Sequence, residues 1–465
     1  MRRTLLPGAA ALALLISTSP AMAADDGDLR AMVRQLAERV ARLEAENRAL
    51  STALDNERIT EGEPAVAARL KTVEQRAAAA APATALAETL EGISAELSVG
   101  TVAQRMSGEG RVDGRNETVL GWRGDLGVTL PGGRIGDGEG KFFVHARFGQ
   151  GGSHTDTRPF FTGATNSMAF EQDGVPDGNA TAILAQAWYQ LDMPIGAASL
   201  EGAPAHLELT VGKIDPFAFF DQNALADDES SRFLNNVFVH NPLLDSGGQL
   251  GADQYGFTPG MRVAWMNDEN GWGASLGLFG AGDASTFGRS FTRPFVIAQL
   301  EKNLKAFGGL DGSYRLYAWN NPQAEGYDGV ERDHAGWGIS ADQKVSESLS
   351  LFARYGQGMR GRAAFDRAVT VGGELTGDGW GRSQDGAGFA WAWLRSADGF
   401  RSASSGLADW GYVASGAEQL AELYYRFQIN DHLALTPDLQ FIRRAGADGD
   451  ADLVTAAGLR ALYAF

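Results

Sequence analysis

After Ile93, apolar and polar residues take turns along the chain with a period of two. Leu120, Trp122, Leu126, Val128 and Leu130 alternate with Gly121, Arg123, Asp125 and Thr129. Phe142, Val144, Ala146 and Phe148 alternate with Lys141, His145 and Arg147, and the chain ends on Leu453, Thr455, Ala457, Leu459, Ala461, Tyr463, Phe465. Successive side chains of a strand point to opposite faces, so this pattern predicts β-strands with one apolar face. About sixteen such segments follow one another. Their lengths cluster near the roughly 9–11 residues that a tilted strand needs to cross a bilayer. The polar face carries long charged side chains and bulky aromatics, which suits a water-filled lumen better than the solvated face of a soluble sandwich.

The connections alternate too. The shortest, at 267–271, 346–348 and 430–431, follow even-numbered strands, and the longest, at 150–182 and 215–258, follow odd ones. A closed barrel with short turns at one rim and long loops at the other produces this asymmetry, and a sandwich has no reason to. Pro437 breaks the pattern inside a strand. A closed barrel has no free edge to hide the missing donor, so a bulge or a ladder gap is expected there.

The first 92 residues read differently. Met1-Arg2-Arg3, an apolar stretch from Leu5 to Ile16 and the small-x-small site Ala21-Met22-Ala23 form a secretory signal peptide over 1–23. In 24–55 the apolar positions step by four and three through Leu29, Val33, Leu36, Val40, Leu43, Asn47, Leu50 and Leu54. That is a heptad seam, in which Asn47 at an a position costs stability but fixes register. The seam favours self-association, so a homo-oligomer joined through a periplasmic coiled coil is expected. Residues 56–92, Ala-rich and broken by Pro64 and Pro82, read as a linker. No later segment has the continuous apolar run of a membrane helix, so membrane insertion must use strands.

Composition narrows the choice. The 465 residues contain no Cys, which excludes disulfides, thiolate metal sites and thiol catalysis. The 40 bases fall to 38 once Arg2 and Arg3 leave with the signal, against 58 acids, a mature net charge of −20. No basic cluster stands out, so nucleic acid is set aside as a partner. The expected fold is an all-β transmembrane barrel of about sixteen antiparallel strands over 93–465, preceded by the N-terminal α-helical coiled coil. Bilayer lipid is then its obligatory partner.

Two runs carry a resemblance. Gly212-Lys213-Ile214-Asp215-Pro216-Phe217, with Phe220-Asp221-Gln222-Asn223 and Phe233-Leu234-Asn235-Asn236, resembles the carbohydrate-selective porin family of Gram-negative outer membranes (OprB-like). So does Glu422-Leu423-Tyr424-Tyr425-Arg426-Phe427-Gln428-Ile429, followed by Leu435-Thr436-Pro437-Asp438-Leu439-Gln440. The likeness spans roughly Glu96 to Phe465. It implies a sixteen-stranded outer-membrane channel that passes carbohydrate solutes by facilitated diffusion through a constriction of charged and aromatic side chains. The terminal Phe465 likewise resembles the signal recognised by the bacterial outer-membrane insertion machinery. The resemblance does not explain the coiled coil.

Strand parity turns Arg123, Asp125, His145, Arg147, Trp188, Arg315, Trp319, Arg354, Glu422, Tyr424, Arg426 and Asp438 inwards. Together with Asp221 they are the candidate substrate-contacting, pore-lining residues. Arginine offers forked donors, carboxylates accept, and Trp or Tyr supplies a flat apolar surface for sugar C–H faces. Wall-stiffening pairs among these charges are the competing reading. The segment 215–258 holds Phe217, Phe219, Phe220, Phe233, Phe238 and Tyr255, many aromatics for a free loop, and either folds into the pore or packs over its rim.

Other chemistry fits less well. Gly273-Ala274-Ser275-Leu276-Gly277 matches a nucleophile elbow, yet lies inside an alternating strand where that motif needs a strand-to-helix turn. The sequences 136–140 and 446–450 look faintly calcium-like but lack the later bidentate Glu, and no cofactor or metal motif is complete. A barrel enzyme of lipase or esterase type and a structural barrel anchored by its coil are the rival functions.

Overall fold

A computed structural model describes residues 92–465, apart from 162–163, 172–178, 246–254 and 282–290, together with Arg42. The expected signal peptide, coiled coil and most of the linker lie outside the described residues.

Sixteen strands follow in order: β1 (Ser94–Met106), β2 (Glu117–Ile135), β3 (Gly138–Gly151), β4 (Thr181–Ile195), β5 (Ala205–Ile214), β6 (Thr258–Asn267), β7 (Trp272–Phe279) and β8 (Phe295–Ala306). They continue with β9 (Leu310–Glu325), β10 (Glu331–Lys344), β11 (Leu349–Arg360), β12 (Phe365–Gly377), β13 (Arg382–Ser396), β14 (Ala417–Gln428), β15 (Leu433–Arg443) and β16 (Val454–Ala464). Each pairs antiparallel with its sequence neighbours, and β1 pairs with β16 to close the barrel, Ser98 facing Ala464. The last residue joins the seam: Phe465 and Leu97 exchange backbone hydrogen bonds of 2.8 and 3.1 Å. A closed cylinder leaves no strand edge unpaired, which a bilayer demands.

The period-two pattern becomes two surfaces. Leu120 is 69% exposed on the outer face, whereas Arg123 is 2% exposed on the inner one. The same holds around the ring, with Leu209, Leu276, Leu316, Trp391, Leu423 and Leu459 exposed and Arg262, Gln299, Ser340, Glu374, Glu422 and Arg460 buried. Most even strands end in tight turns such as 136–137, 268–271 and 429–432, and most odd strands in longer loops, the longest being 152–180 and 215–257; the connection 196–204 after β4 is longer than the turns 326–330 and 361–364 after β9 and β11. At Pro437 the β14–β15 ladder loses the pairs between Tyr424↔Asp438 and Phe427↔Leu435. The register on either side is unchanged, so the missing N–H makes a gap without a bulge. On the β16 side Pro437 still faces Leu459.

Ser275 of the elbow-like motif sits in β7, where its hydroxyl accepts from Arg262 Nη2 at 3.3 Å. The turn that would expose a nucleophile is absent from this segment.

Candidate functional site: a channel narrowed by two inward loops

The segment after β5 enters the barrel instead of leaving it. Asp215 opens it by accepting from Phe217 N at 2.9 Å, with Pro216 at the first position of a short turn. Its aromatics, Phe217, Phe220, Phe233 and Phe238, are buried with Tyr317, Phe352 and Tyr424 of the wall. This burial explains why so many aromatics occupy a nominal loop.

Polar bonds then tie it to the inner wall. Asp221, fully buried, accepts from Tyr317 Oη at 2.6 Å and Arg354 Nε at 3.1 Å through Oδ1, and from Asn241 N at 2.6 Å through Oδ2. Its own N–H donates to Gln299 Oε1 at 3.0 Å, and its carbonyl accepts from Arg354 Nη2 at 2.9 Å. Asp221 adopts φ +58°, a region that Asp tolerates better than most residues. Arg354 also donates to the carbonyls of Phe238 and Val239, at 3.1 and 3.2 Å. Its fork thereby fixes two turns of the loop at once. Asn241 fits because Gly338 and Gly356 stand beneath it: a Cβ at Gly356 would lie 2.4 Å from Asn241 Oδ1.

The far end of the loop is held from the opposite side. Glu422 accepts from the backbone N–H groups of Leu234 and Asn235, at 2.6 and 3.0 Å. Gln440 Oε1 accepts from Asn235 Nδ2 at 2.9 Å, and Arg460 donates to the carbonyls of Glu229 and Arg232, both at 2.8 Å. Asp438 accepts from Gln440 Nε2 at 2.9 Å. The loop therefore bridges from β5 to the walls formed by β8–β16.

A second loop, the stretch before β4, also folds inwards. Gln104 and Gln440 both donate to Thr165 O, at 2.9 and 2.8 Å, and Thr165 Oγ1 donates to Gln104 Oε1 at 2.7 Å. The two loops join directly: Ser167 N donates to Leu234 O at 2.8 Å, and Asn236 N to Ala164 O at 3.2 Å. The sequence reading missed this second plug. Its signal, the aromatics Phe160, Phe161 and Phe170, is diluted by intervening polar residues.

Charges gather in several clusters. On β2 and β3, Asp125 takes Arg123 Nε at 2.8 Å, His145 Nε2 at 2.8 Å and Arg147 Nε at 2.6 Å. Loop residue Glu229 lies 2.7 Å from Arg123 Nη2 and 3.9 Å from Arg147 Nη2. Across the barrel, Glu374 takes Tyr424 Oη at 2.5 Å and Arg426 Nη1 at 2.9 Å, with Arg232 at 3.7 Å. Arg315 reaches Gln222 O at 2.8 Å and Asp342 at 3.4 Å. Within the loop His240 stacks on Phe217, centroids 3.7 Å apart, and lies 3.4 Å from Asp227. Burial lowers the pKa of His240. The bond to Asp227 and its charge outweigh that, with Asp245 and Asp215 adding, and the pKa stands at about 9. Burial raises Asp227 to about 6, with His240 opposing.

Between the two loops and the β2–β3 wall a cavity of about 1440 Å³ remains. Arg147, Glu229, Asp227, His240, Phe257 and Tyr255 are among its lining residues. The cavity touches only part of the parity-derived set. Arg354, Glu422 and Asp221 are spent on holding the loop, and Asp438 supports it through Gln440, which bonds Asn235. Trp319 fills space against Tyr317 and above Gly336. Trp188 packs on Phe143 and on Phe219 of the loop, with centroids at 5.0 and 5.7 Å. Arg123 and His145 are buried within the β2–β3 charge cluster. Gln299, Tyr317, Glu374 and Arg460 were not singled out from sequence, although parity alone places Glu374 and Arg460 inwards.

Comparisons with known proteins add the family. A profile described as "Carbohydrate-selective porin, OprB family" matches residues 132–465. A high-pH structure of Pseudomonas putida OprB superposes with TM-score 0.65 at 20% identity, over 82% of this chain and 96% of that one. The low-pH structure of the same protein gives TM-score 0.48 at 18% identity, over 82% and 95%. A mutant of the Rh. blastica porin gives 0.42 at 13% identity, over 80% and 100%. Comparison with curated sequences gave no match. The structural likeness establishes the fold, and the family match covers most of the chain. A closed sixteen-stranded barrel with two loops folded inside, matched over residues 132–465 by that profile, belongs to the OprB family of carbohydrate-selective porins and is an outer-membrane channel for carbohydrates.

Proposed function

We propose that sugars pass on the β2–β5 side of the barrel, through the cavity that the inner loop leaves open. The observation that carries this reading is the uneven attachment of that loop. Most of its polar anchors lie on β8–β12 and β14–β16, whereas on the near side Arg123 and Arg147 face Glu229, Gln186 accepts from Asp215 N at 3.2 Å, and Trp188 and Arg262 pack on Phe219. Arg147, whose side chain is 15% exposed and lines the cavity, is the donor that a sugar hydroxyl reaches first. Asp125 and Glu229 beside it accept. Arg315 with Asp342 and Arg426 with Glu374 provide the same donor–acceptor mixture on the far wall. Balanced charge of this kind lowers the barrier for neutral polar solutes without a strong field for ions. In this account Arg354, Asp221, Glu422 and Asp438 position the loop and touch no solute, and Trp188 backs the loop from the wall.

The helical seam of 29–54 would join copies of the chain in the periplasm, and Phe465 would present the insertion signal. The exposed ring of Phe465 next to His432 at the turn rim supports the second point.

The test is sugar block of single-channel current in planar bilayers with Arg147→Met and Arg354→Met. Block weakened by Arg147→Met at unchanged open-channel conductance supports the route. Block left unchanged by Arg147→Met places the route elsewhere.

A further inference from the structure

Beside the cavity, two aromatic rings from separate loops lie one on the other. Phe170, from the loop after β3, and Tyr255, from the end of the loop after β5, stack with centroids 4.7 Å apart at 20°. Phe170 is fixed from below. Its N–H donates to Gly151 O at 3.0 Å, and its ring covers Gly149, where a Cβ would lie 3.2 Å from the ring. A Cβ there would meet the backbone of β2 first, 2.3 Å from Trp122 O, so the glycine serves the close strand approach and leaves room for the ring as well. Phe170 is 1% exposed. Tyr255 is half-buried and lines the cavity, and its hydroxyl donates to Glu171 O. The ring is held at one face and at its tip, and it adjoins the cavity.

We propose that Tyr255, backed by Phe170, is a stacking platform that captures pyranose rings before they reach the narrow zone. This rests on the porin reading above and adds a site to it. A pyranose carries C–H groups on the faces of its ring and hydroxyls around the edge. Such a ligand matches a flat aromatic surface with polar groups beside it. Gln150 and Asn179 line the same cavity and offer both donors and acceptors to the ring's edge. A clamped ring loses little conformational freedom when it binds, so most of the stacking energy appears as affinity. An acyclic polyol has the same hydroxyls but no rigid C–H face, so the platform discriminates ring from chain.

The experiment compares glucose with mannitol as blockers of single-channel current for the wild-type full chain, Tyr255→Phe and Tyr255→Leu. Tyr255→Phe keeps the flat ring, and Tyr255→Leu keeps the bulk without it. Tyr255→Leu is expected to raise the half-blocking glucose concentration roughly threefold to tenfold. Tyr255→Phe should stay within about twofold of wild type, and mannitol should block all three weakly and alike. If Tyr255→Leu does not insert, Phe170→Leu removes the backing ring and should weaken glucose block in the same direction. Equal glucose block by wild type and Tyr255→Leu, or mannitol block equal to glucose in wild type, overturns the platform and leaves the porin reading intact. No glucose block of wild type at all overturns the porin reading itself.

Discussion

Arg354 and Asp221 meet inside the barrel at 3.1 Å with both side chains wholly sealed from solvent. Two opposite charges so deeply buried are stable only because every strong partner is present, and removing one leaves the other uncompensated. Arg354→Met should cost on the order of 3–5 kcal/mol of loop attachment. The expected outcome is a channel with larger conductance and more current noise, in a barrel that still inserts and runs as a heat-modifiable band. Conductance and noise equal to wild type would show that the loop is held elsewhere.

Glu422 is a second anchor of different chemistry, since it serves two backbone N–H groups with one carboxylate. Glu422→Gln retains one acceptor oxygen and turns a donor towards the other N–H. The unpaired N–H costs about 1–3 kcal/mol. Noise in this variant should fall between wild type and Glu422→Ala, as read from current power spectra.

Packing offers an orthogonal handle. A Cβ at Gly388 would lie 2.0 Å from the Tyr424 ring, and Tyr424 donates to Glu374. Gly388→Ala should displace the ring and break that bond. The measurable result is a lower thermal midpoint with no change in strand content by circular dichroism.

The His240–Asp227 pair sets a pH window. His240 has its pKa raised from 6.5 to about 9, so its contribution to holding the loop is complete below about pH 6.5 and is lost as pH rises through about 9. Asp227 works in the same sense over a lower window. Its pKa is raised from 3.8 to about 6, so its contribution is complete below about pH 3.8 and is lost as pH rises through about 6. Current noise should therefore grow between pH 8 and pH 10, and His240→Gln should abolish that rise. A rise that persists in His240→Gln assigns it to another group.

How much of this could be read from the chain follows from the range of each interaction. Period two is local, so the strands, the closing order and the inward turn of residues such as Arg354 and Glu422 were all legible. The loop pattern of short after even strands and long after odd ones was legible as well, because chain length fixes it. What Arg354 does was not legible. Parity gives its face, while its partner Asp221 lies 133 positions away. The same limit hid the Thr165 clasp, which joins Gln104 to Gln440 through a loop with no regular period. Glycines 338 and 356 read as ordinary strand residues and gain meaning only from the Tyr317 ring and the Asn241 amide that lie over them.

Carbohydrate that passes along a water-filled path beside the fixed inner loop must interrupt the ionic current there. Single-channel recording of the purified protein in planar bilayers, with glucose titrated into both chambers, tests it most directly. The expected result is a steady open current that glucose reduces saturably. A barrel that inserts but conducts no ions, or whose current glucose leaves untouched, would contradict it.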